Sequence, residues 1–531
     1  MNPTPSLGQL WHMLWTGEGL GNVFPWLPAR TGAALSVWVP VAFKVALAVL
    51  VSGIVYRLIF AQSRGRGEHL RGSRLVAHRF GWLRRLLAFD RLKLRIGAVA
   101  IPRRLESQHL LITGGTGAGK SQTLYGLLDT LRKRGEPAIL TDTGAEALYY
   151  FGRPTDRLLN PLDQRSVDWS PFAEMSGPAD AERLAKSMVP DPEGDRERQW
   201  AQYSQALIAA ALKRLWAQGQ TTNGALLDTL VLASNEQLEA LVQGLPVQRI
   251  FHPGAEKMLG SVLGIIGAHF APYSYLSRAA GAKSWSIRRY VREGKGWLWL
   301  SYREEHAAAL KPLLATWVGE AVNATLSLPA DRARRRYLIL DEAASLGRVQ
   351  SLGDALTKGR KYGLCAILGV QSIAQLREVY GKDGAQVLLA CLSSLLLMRA
   401  IDPETAEYGS LQLGECEVLR ESVARGKDRT VTQQRHVERL VMPSEIQGLP
   451  DMVGYVRRSG EMAVRRVKIR KINRPQNADS FVPKTPDLKV VPPPSPAPAD
   501  PKPSRPPLDA DAILGQMPWS VITILFSETL G

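Results

Sequence analysis

The sequence predicts an α/β fold, a mostly parallel sheet with helices on both faces, assembled around a phosphate-binding loop. Three observations predict it. The apolar run Leu110-Leu111-Ile112-Thr113 leads directly into Gly114-Gly115-Thr116-Gly117-Ala118-Gly119-Lys120-Ser121, and a helical pattern follows; strand, loop and helix are the order in which such a loop works. A second apolar run, Tyr337-Leu338-Ile339-Leu340, ends in Asp341-Glu342. Further strand-like runs at 138–142, 297–300, 364–370 and 395–398 alternate with helical patterns, which implies a parallel sheet covered on both sides.

In the loop, Gly114, Gly115, Thr116, Gly117, Ala118 and Gly119 are mostly small residues that let backbone N–H groups turn toward phosphate oxygens; with Lys120, Ser121 and Gln122 they are the candidate nucleotide-binding residues. Lys120 supplies a point charge to the β- and γ-phosphates, and Ser121 a hydroxyl for Mg²⁺. Asp341 is placed to hold the same metal, directly or through water. Glu342, one residue further, is placed to accept a proton from the water that attacks the γ-phosphate. No Asn-Lys-x-Asp segment for reading guanine occurs in the chain, so ATP with Mg²⁺ is the expected ligand.

The chain has 531 residues, enough for two or three domains, and its 45% apolar content excludes wholesale disorder. Its net charge of +18 points to a phosphate backbone or an anionic membrane surface as partner. Cys365, Cys391 and Cys416 are widely spaced and odd in number, against a disulfide framework or a zinc site and in keeping with a reducing compartment.

Leu35 to Val55 is apolar apart from Lys44 and long enough to cross a bilayer, with Trp38 and Tyr56 near its ends. Lys44 costs about 2.5–3.5 kcal/mol at a helix centre unless it snorkels or faces a partner helix. Arg30 is the one Lys or Arg before the span, whereas Arg57, Arg64, Arg66, Arg71, Arg74 and Arg79 follow it; the bulk of the chain is therefore expected on the cytoplasmic side. Residues 7–28, interrupted by Gly17, Gly19, Gly21 and Pro25, read as a second span or an interfacial segment.

About 220 residues separate the phosphate loop from Asp341, more than a few strand–helix repeats need. From Ala179 to about Ser277 the pattern is helical: Trp200, Tyr203, Leu207, Ala210, Ala211 and Leu215 recur at helical spacing. An all-α domain inserted into the sheet domain, away from the nucleotide, is the simplest reading. The boundaries that follow are an N-terminal anchor region 1–66, a nucleotide-binding domain in two parts, 67–178 and 286–471, an inserted domain 179–285, and a proline-rich disordered tail 472–531. A helix over 305–326 is expected between the strand 297–300 and the Asp341 strand, and after Asp341 Leu346, Val349, Leu352 and Leu356 predict an amphipathic helix.

Ligands of parallel sheets sit at the carboxyl ends of the strands. Gln371 directly follows the strand 364–370 and so falls at that edge, where it can sense the γ-phosphate or orient the attacking water. Arg360 precedes the same strand and falls at the opposite edge. It is out of reach of its own nucleotide, but a neighbouring subunit in a ring could place it on the next site as an arginine finger.

With these residues in view, the chain from about 100 to 460 resembles the type IV secretion coupling proteins of bacterial conjugation, the TraD/TrwB-like group, which belong with the FtsK and HerA DNA-pumping ATPases. The resemblance rests on the loop 114–121, on Asn160-Pro161-Leu162-Asp163 with Ser166, Trp169, Ser170 and Pro171-Phe172, and on Asp341-Glu342. It extends through Leu352-Gly353-Asp354-Ala355-Leu356-Thr357-Lys358-Gly359-Arg360-Lys361, Gly369-Val370-Gln371-Ser372 and Val379-Tyr380-Gly381. It implies a membrane-anchored RecA-like P-loop ATPase with an inserted all-α domain, forming a homo-hexamer around DNA at the bacterial inner membrane. By the same resemblance Lys120, Ser121, Asp341, Glu342, Arg360 and Gln371 serve the nucleotide site, the arginine across the subunit interface. The implied partners are single-stranded DNA, with double-stranded DNA as the alternative, the relaxase of the relaxosome, and the components of a type IV secretion channel. Family members usually carry two N-terminal spans where this chain shows one clear one, and Asp142-Thr143-Gly144-Ala145-Glu146 only approximates the acidic turn at its place, so Asp142 is given no role.

Arg278, Lys283, Arg288, Arg289 and Arg292, with Arg332, Arg334, Arg335 and Arg336, are candidates for phosphate contacts in a central channel. No base-reading motif accompanies them. From about Asn473 to Pro507 prolines dominate, which predicts an extended tail; Trp519 to Phe526 is too short to span a membrane and reads as a docking segment. The function these readings predict is ATP-driven delivery of relaxase-bound DNA into a secretion channel, with a weakly active receptor or a double-stranded DNA translocase as alternatives.

Overall fold

The computed structural model describes residues 39–50, 68–76, 92–425 and 429–484, together with positions 12, 15, 16 and 52; all belong to one compact unit that ends at Lys484. The tail from 485 onward, the segment 519–526, most of 7–28 and the ends of the expected span lie outside these residues. Residues 39–50 are helical, and among the described residues no helix is long and apolar enough to cross a membrane. Lys44, the one charge of that stretch, lies over the Trp15 ring at 5.0 Å, a cation–π contact.

A ten-stranded sheet organises the body. Its labelled strands are β1 Leu110–Thr113, β2 Ala138–Thr143, β3 Arg157–Leu158, β4 Trp297–Tyr302, β5 Arg336–Leu340, β6 Leu364–Val370, β7 Ser394–Met398, β8 Val453–Arg457 and β9 Ala463–Lys468. They lie in the order β9-β8-β7-β1-β6-β5-β2-β4-β3, with Arg74–Leu75 beside β9. Every pair from β7 to β3 is parallel; β8 runs antiparallel to both β7 and β9. The strands β1, β4, β6 and β7 are buried along their whole length because both faces are covered. Leu110 and Ile112 face one core with Tyr337, Ile339 and Ile367. Leu111 faces the other with Leu338, Leu340 and Leu368.

On the first face lies α1, Lys120–Arg134, which buries Leu124, Leu127, Leu128 and Leu131 at i, i+3, i+4, i+7 spacing. Each fully buried leucine contributes about 1.5–3 kcal/mol, and Gly135 in the left-handed conformation ends the helix. The second face carries α6, Ala307–Leu326, and the helical segment that includes α3 Asp180–Met188, α4 Asp195–Ala217 and α5 Glu256–Phe270. No described residue between Leu158 and Trp297 belongs to a strand element. The core of this segment, Leu207, Ile208 and Leu215 against Val262, Ile266 and Phe270, is continuous with the core under the sheet. Its points of entry and exit are tied together by a bridge between Trp169 and Trp285 and by Glu174. That carboxylate accepts from Trp169 Nε1 at 2.9 Å, Ile287 N at 2.6 Å, Arg288 N at 2.9 Å and Ser286 Oγ at 3.1 Å, the saturation a buried carboxylate requires.

Three features depart from the sequence expectations. The predicted amphipathic helix begins only at Leu352: Leu346 and Val349 are buried as expected, but in turns that include Gly347 at φ 72°, and the helix is α7, Leu352–Lys358. The hairpin Glu415–Arg425/Arg429–Arg439, joined by Glu68–Gly72 into a three-stranded sheet, was not foreseen. The segment 472–484 is packed along the body rather than disordered. Arg474 pairs with Asp129 at 2.7 Å, Asn477 N–H donates to the Tyr149 carbonyl at 2.9 Å and Lys484 N–H to that of Leu162 at 2.9 Å, and Asp163 bridges Pro483.

Candidate nucleotide-binding site

The site is built where β1 ends. Gly114, Gly117 and Gly119 have φ of 155°, 76° and 112°, values that L side chains rarely adopt. Space adds a second constraint at two of them: a Cβ on Gly114 would stand 2.8 Å from Met398 Cβ, and one on Gly119 2.6 Å from Met452 Sδ. The loop is pinned from behind by Gly115 N–H to the Arg399 carbonyl at 2.7 Å and by Met452 N–H to the Ala118 carbonyl at 2.9 Å. Thr123 N–H to Gly119 O, at 3.1 Å, opens the helical ladder, so the N–H groups of Lys120, Ser121 and Gln122 have no carbonyl behind them. Together with the helix dipole they form an anion site.

Lys120 Nζ donates to the carbonyl oxygens of Gly114 at 2.6 Å and Gly115 at 3.4 Å, and with Asp341, Ile112, Leu340, Ile367 and Gly369 it lines a narrow cleft behind the loop. Asp341 and Glu342 follow β5. A Cβ on Gly369 would overlap the Asp341 carbonyl oxygen, so glycine is what lets β6 pass this close. Burial pushes the Asp341 carboxyl up to about 6 and the Glu342 carboxyl up to about 7, with Lys120 opposing both shifts; burial likewise lowers the Lys120 ammonium, and the two carboxylates oppose it. A further cation beside these raised carboxyls would be favoured, and Gly117, with nothing within 4 Å of where a Cβ would stand, leaves room for phosphate oxygens: the residues fit a Mg²⁺-bound nucleoside triphosphate.

Gln371 stands at the end of β6. Its N–H donates to Glu342 Oε1 at 3.4 Å, and its Oε1 accepts from Thr116 Oγ1 at 3.3 Å, so the loop, Gln371 and Glu342 form one hydrogen-bonded chain. Arg360 lies in the turn Gly359–Tyr362 that precedes β6, exposed and at the opposite edge of the sheet. Gln122 Oε1 accepts from Ile472 N–H at 3.4 Å. Asp142 caps the helix α2, Glu146–Phe151, accepting from Ala147 N at 3.0 Å and Leu148 N at 2.7 Å. Sequence reading missed Met452, Arg399 and Ile472, which reach the loop from far along the chain. Met452 carries the one signal, φ of 62° after Pro450-Asp451, and this is visible only in the folded chain.

The predicted basic clusters divide. Arg278 pairs with Asp228 at 2.7 Å, Arg288 with Asp180 at 2.9 Å and Arg334 with Asp331 at 3.8 Å. Arg335 is buried and donates to the carbonyls of Arg332, Arg334 and Arg103, and Arg336 is half-buried against Gly294. Arg278, Arg288, Arg334 and Arg335 thus have structural partners, whereas Arg336 Nε is buried without a hydrogen-bond partner among the described residues. Lys283, Arg289, Arg292 and Arg332 are exposed and enter no ion pair among the described residues.

Fold and site define a nucleotide-binding protein of the RecA-like P-loop class. The model of the type IV secretion-system coupling protein DNA-binding domain matches residues 93–470, and the chain belongs to that family. It is 28% identical over 406 residues to coupling protein TraD of Escherichia coli (strain K12), covering 74% of this chain and 56% of TraD; it thus spans little more than half the length of that relative. It is 33% identical over 149 residues to a probable conjugal transfer protein TraG of Sinorhizobium fredii (strain NBRC 101917 / NGR234), covering 27% of this chain and 23% of TraG. Among solved structures, the bacterial conjugative coupling protein TrwBdeltaN70 superposes with a TM-score of 0.73 at 34% identity, covering 79% of this chain and 98% of that one. TrwB in complex with the ATP analogue ADPNP superposes at 0.72 and 34% identity, covering 80% and 99%.

Proposed function

We propose that the chain is an ATP-hydrolysing, DNA-binding motor of the bacterial inner membrane that couples relaxase-bound single-stranded DNA to a type IV secretion channel. The observation that carries the reading is the split between the two sheet edges: Lys120, Asp341, Glu342 and Gln371 converge at one, while Arg360 is exposed at the other. A site with a proton acceptor and a γ-phosphate sensor, whose candidate arginine finger stands at the far edge of the same protomer's sheet, is completed by a neighbour, which a homo-hexameric ring supplies. Family membership and the TrwB complexes with ADPNP and with ADP and Mg²⁺ support the ligand.

In this reading Gly114 to Gln122 cradle the phosphates and Lys120 holds the β- and γ-oxygens. Ser121 and Asp341 hold Mg²⁺, which when bound supplies neutralising charge to the phosphates. Glu342 takes the proton of the attacking water, and Gln371 relays the presence of the γ-phosphate to Glu342 and Thr116. The anchor 1–66 with its span at 35–55 holds the motor to the membrane; 67–178 and 286–471 form the motor, 179–285 its helical insert, and the residues after 484 a tail for partners. The free cations Lys283, Arg289, Arg292 and Arg332 contact the DNA backbone, so binding should be independent of sequence and fall steeply with salt.

A cell carrying Glu342→Gln in place of the native chain should retain nucleotide binding and lose both ATPase activity and conjugative DNA transfer. Transfer that persists without ATPase activity would replace the motor with a receptor that uses ATP only to set its assembly.

A further inference from the structure

His109 stands at the amino end of β1, the strand whose other end opens the phosphate loop, and its φ of 62° turns the backbone out of strand geometry. The ring is buried, 2% exposed. Ile367 of β6 is in register with Leu110, so Ala366 lies beside His109, and Ala366 N–H donates to Nδ1 at 3.1 Å. The hydrogen of the neutral ring is therefore on Nε2, which donates to the Leu356 carbonyl oxygen at 3.0 Å. One side chain thus joins β1, β6 and α7, and α7 runs directly into the Gly359–Tyr362 turn that carries Arg360.

The far side of that turn is also held. Asp331 N–H donates to the Lys361 carbonyl and Arg336 N–H to the Gly363 carbonyl, each at 2.9 Å. Gly363, at φ 83°, passes so close that a Cβ would stand 2.5 Å from the Arg334 carbonyl oxygen. Burial keeps the imidazole neutral, pushing it down to about 4, and the nearby Arg360 charge acts in the same direction. A histidine needed only to satisfy Ala366 N–H would not require its second nitrogen to reach α7.

We propose that His109 is a positioning residue for the arginine given to the neighbouring protomer: through Leu356 it sets the place of the Arg360 turn against the phosphate-loop strand. The proposal deepens the reading of Arg360 as acting across a subunit interface and rests on it.

Mixed assemblies test it. Full-length Lys120→Ala chains retain Arg360 but lack a working site, and Arg360→Ala chains retain the site but lack the arginine. Mixing them, with single-stranded DNA in lipid vesicles, should restore ATPase activity at interfaces that pair the two. His109→Asn then separates the roles: asparagine tolerates positive φ and keeps an acceptor in the place of Nδ1, but it is too short to reach Leu356. Added to the Lys120→Ala donor, H109N should lower the restored rate by about tenfold or more; added to the Arg360→Ala acceptor, it should leave that rate in place. Equal loss in both arms would make His109 a support of the fold alone, and no loss in the donor arm would remove it from positioning; either overturns the proposal. If the parent mixture itself restores nothing, the reading of Arg360 across an interface fails, and the role of His109 with it.

Discussion

The two edges of the central sheet are both buried and both charged, and they treat their charges in opposite ways. At the amino edge the buried carboxylate is answered. Glu106, buried at 6% exposure, accepts from Arg134 at 2.9 Å and from Tyr337 Oη at 2.6 Å, with Arg335 at 3.8 Å. At the carboxyl edge Asp341, followed by Glu342, lines a cleft with Lys120, whose ammonium turns to the loop carbonyls of Gly114 and Gly115. The difference separates structure from function. A saturated cluster fixes geometry, whereas carboxyls pushed toward neutrality by burial and a lysine resting on its own loop are groups waiting for a charged ligand.

The comparison breaks most visibly at Lys120. Lys120→Ala should abolish nucleotide turnover, a loss on the order of 10³-fold or more, while the melting temperature stays near that of the native chain; unaltered ATPase activity would remove the carboxyl edge from the chemistry. The amino edge should behave inversely. Glu106→Ala strands Arg134 and Arg335 and should cost about 3–5 kcal/mol in denaturant unfolding, with nucleotide affinity kept in the protein that remains folded.

Titration sharpens the contrast. Glu342 is raised to about 7 when folded, so between its ordinary range and that value the native state holds more protons than the unfolded one, and this group's contribution falls as pH rises. His109 is lowered to about 4, so the unfolded state holds more protons below about 6.5 and stability falls as pH drops toward 4. Glu342→Gln should flatten the alkaline limb and His109→Asn the acid limb of the stability profile, each by on the order of 1–3 kcal/mol at its limit; urea midpoints across pH 4 to 8 would read both. The smallest effect is expected at Thr116→Val, which removes one neutral hydrogen bond to Gln371, worth about 0.5–1.5 kcal/mol, and should slow turnover several-fold at unchanged stability.

Most of the carboxyl edge was legible because its parts are contiguous in sequence: Gly114 to Ser121 is one motif, Asp341-Glu342 ends one apolar run, and Gln371 ends another. The separation of Arg360 from Gln371 also followed from their places before and after one strand. What escaped depended on partners distant in sequence. Met452 and Ile472 reach the phosphate loop after more than three hundred intervening residues, and nothing near either of them announces it. Leu346 and Val349 have helical spacing but are buried in turns, since an apolar period does not distinguish a helix from a turn that faces the same core. The hairpin Glu415–Arg439 has too many charges on both faces for an alternating pattern, and Val437 is 68% exposed. Residues 472–484 looked like the start of the proline tail because composition cannot see the Arg474–Asp129 pair or the hydrogen bonds of Asn477 and Lys484.

The most direct measurement is the steady-state ATPase rate of the full-length chain in lipid vesicles with single-stranded DNA, followed as protein concentration rises, beside Arg360→Ala. A site completed by its neighbour predicts a rate that rises more than linearly with concentration, increases with DNA and collapses in the variant although each protomer still binds nucleotide. A rate proportional to concentration and unchanged by Arg360→Ala would contradict it.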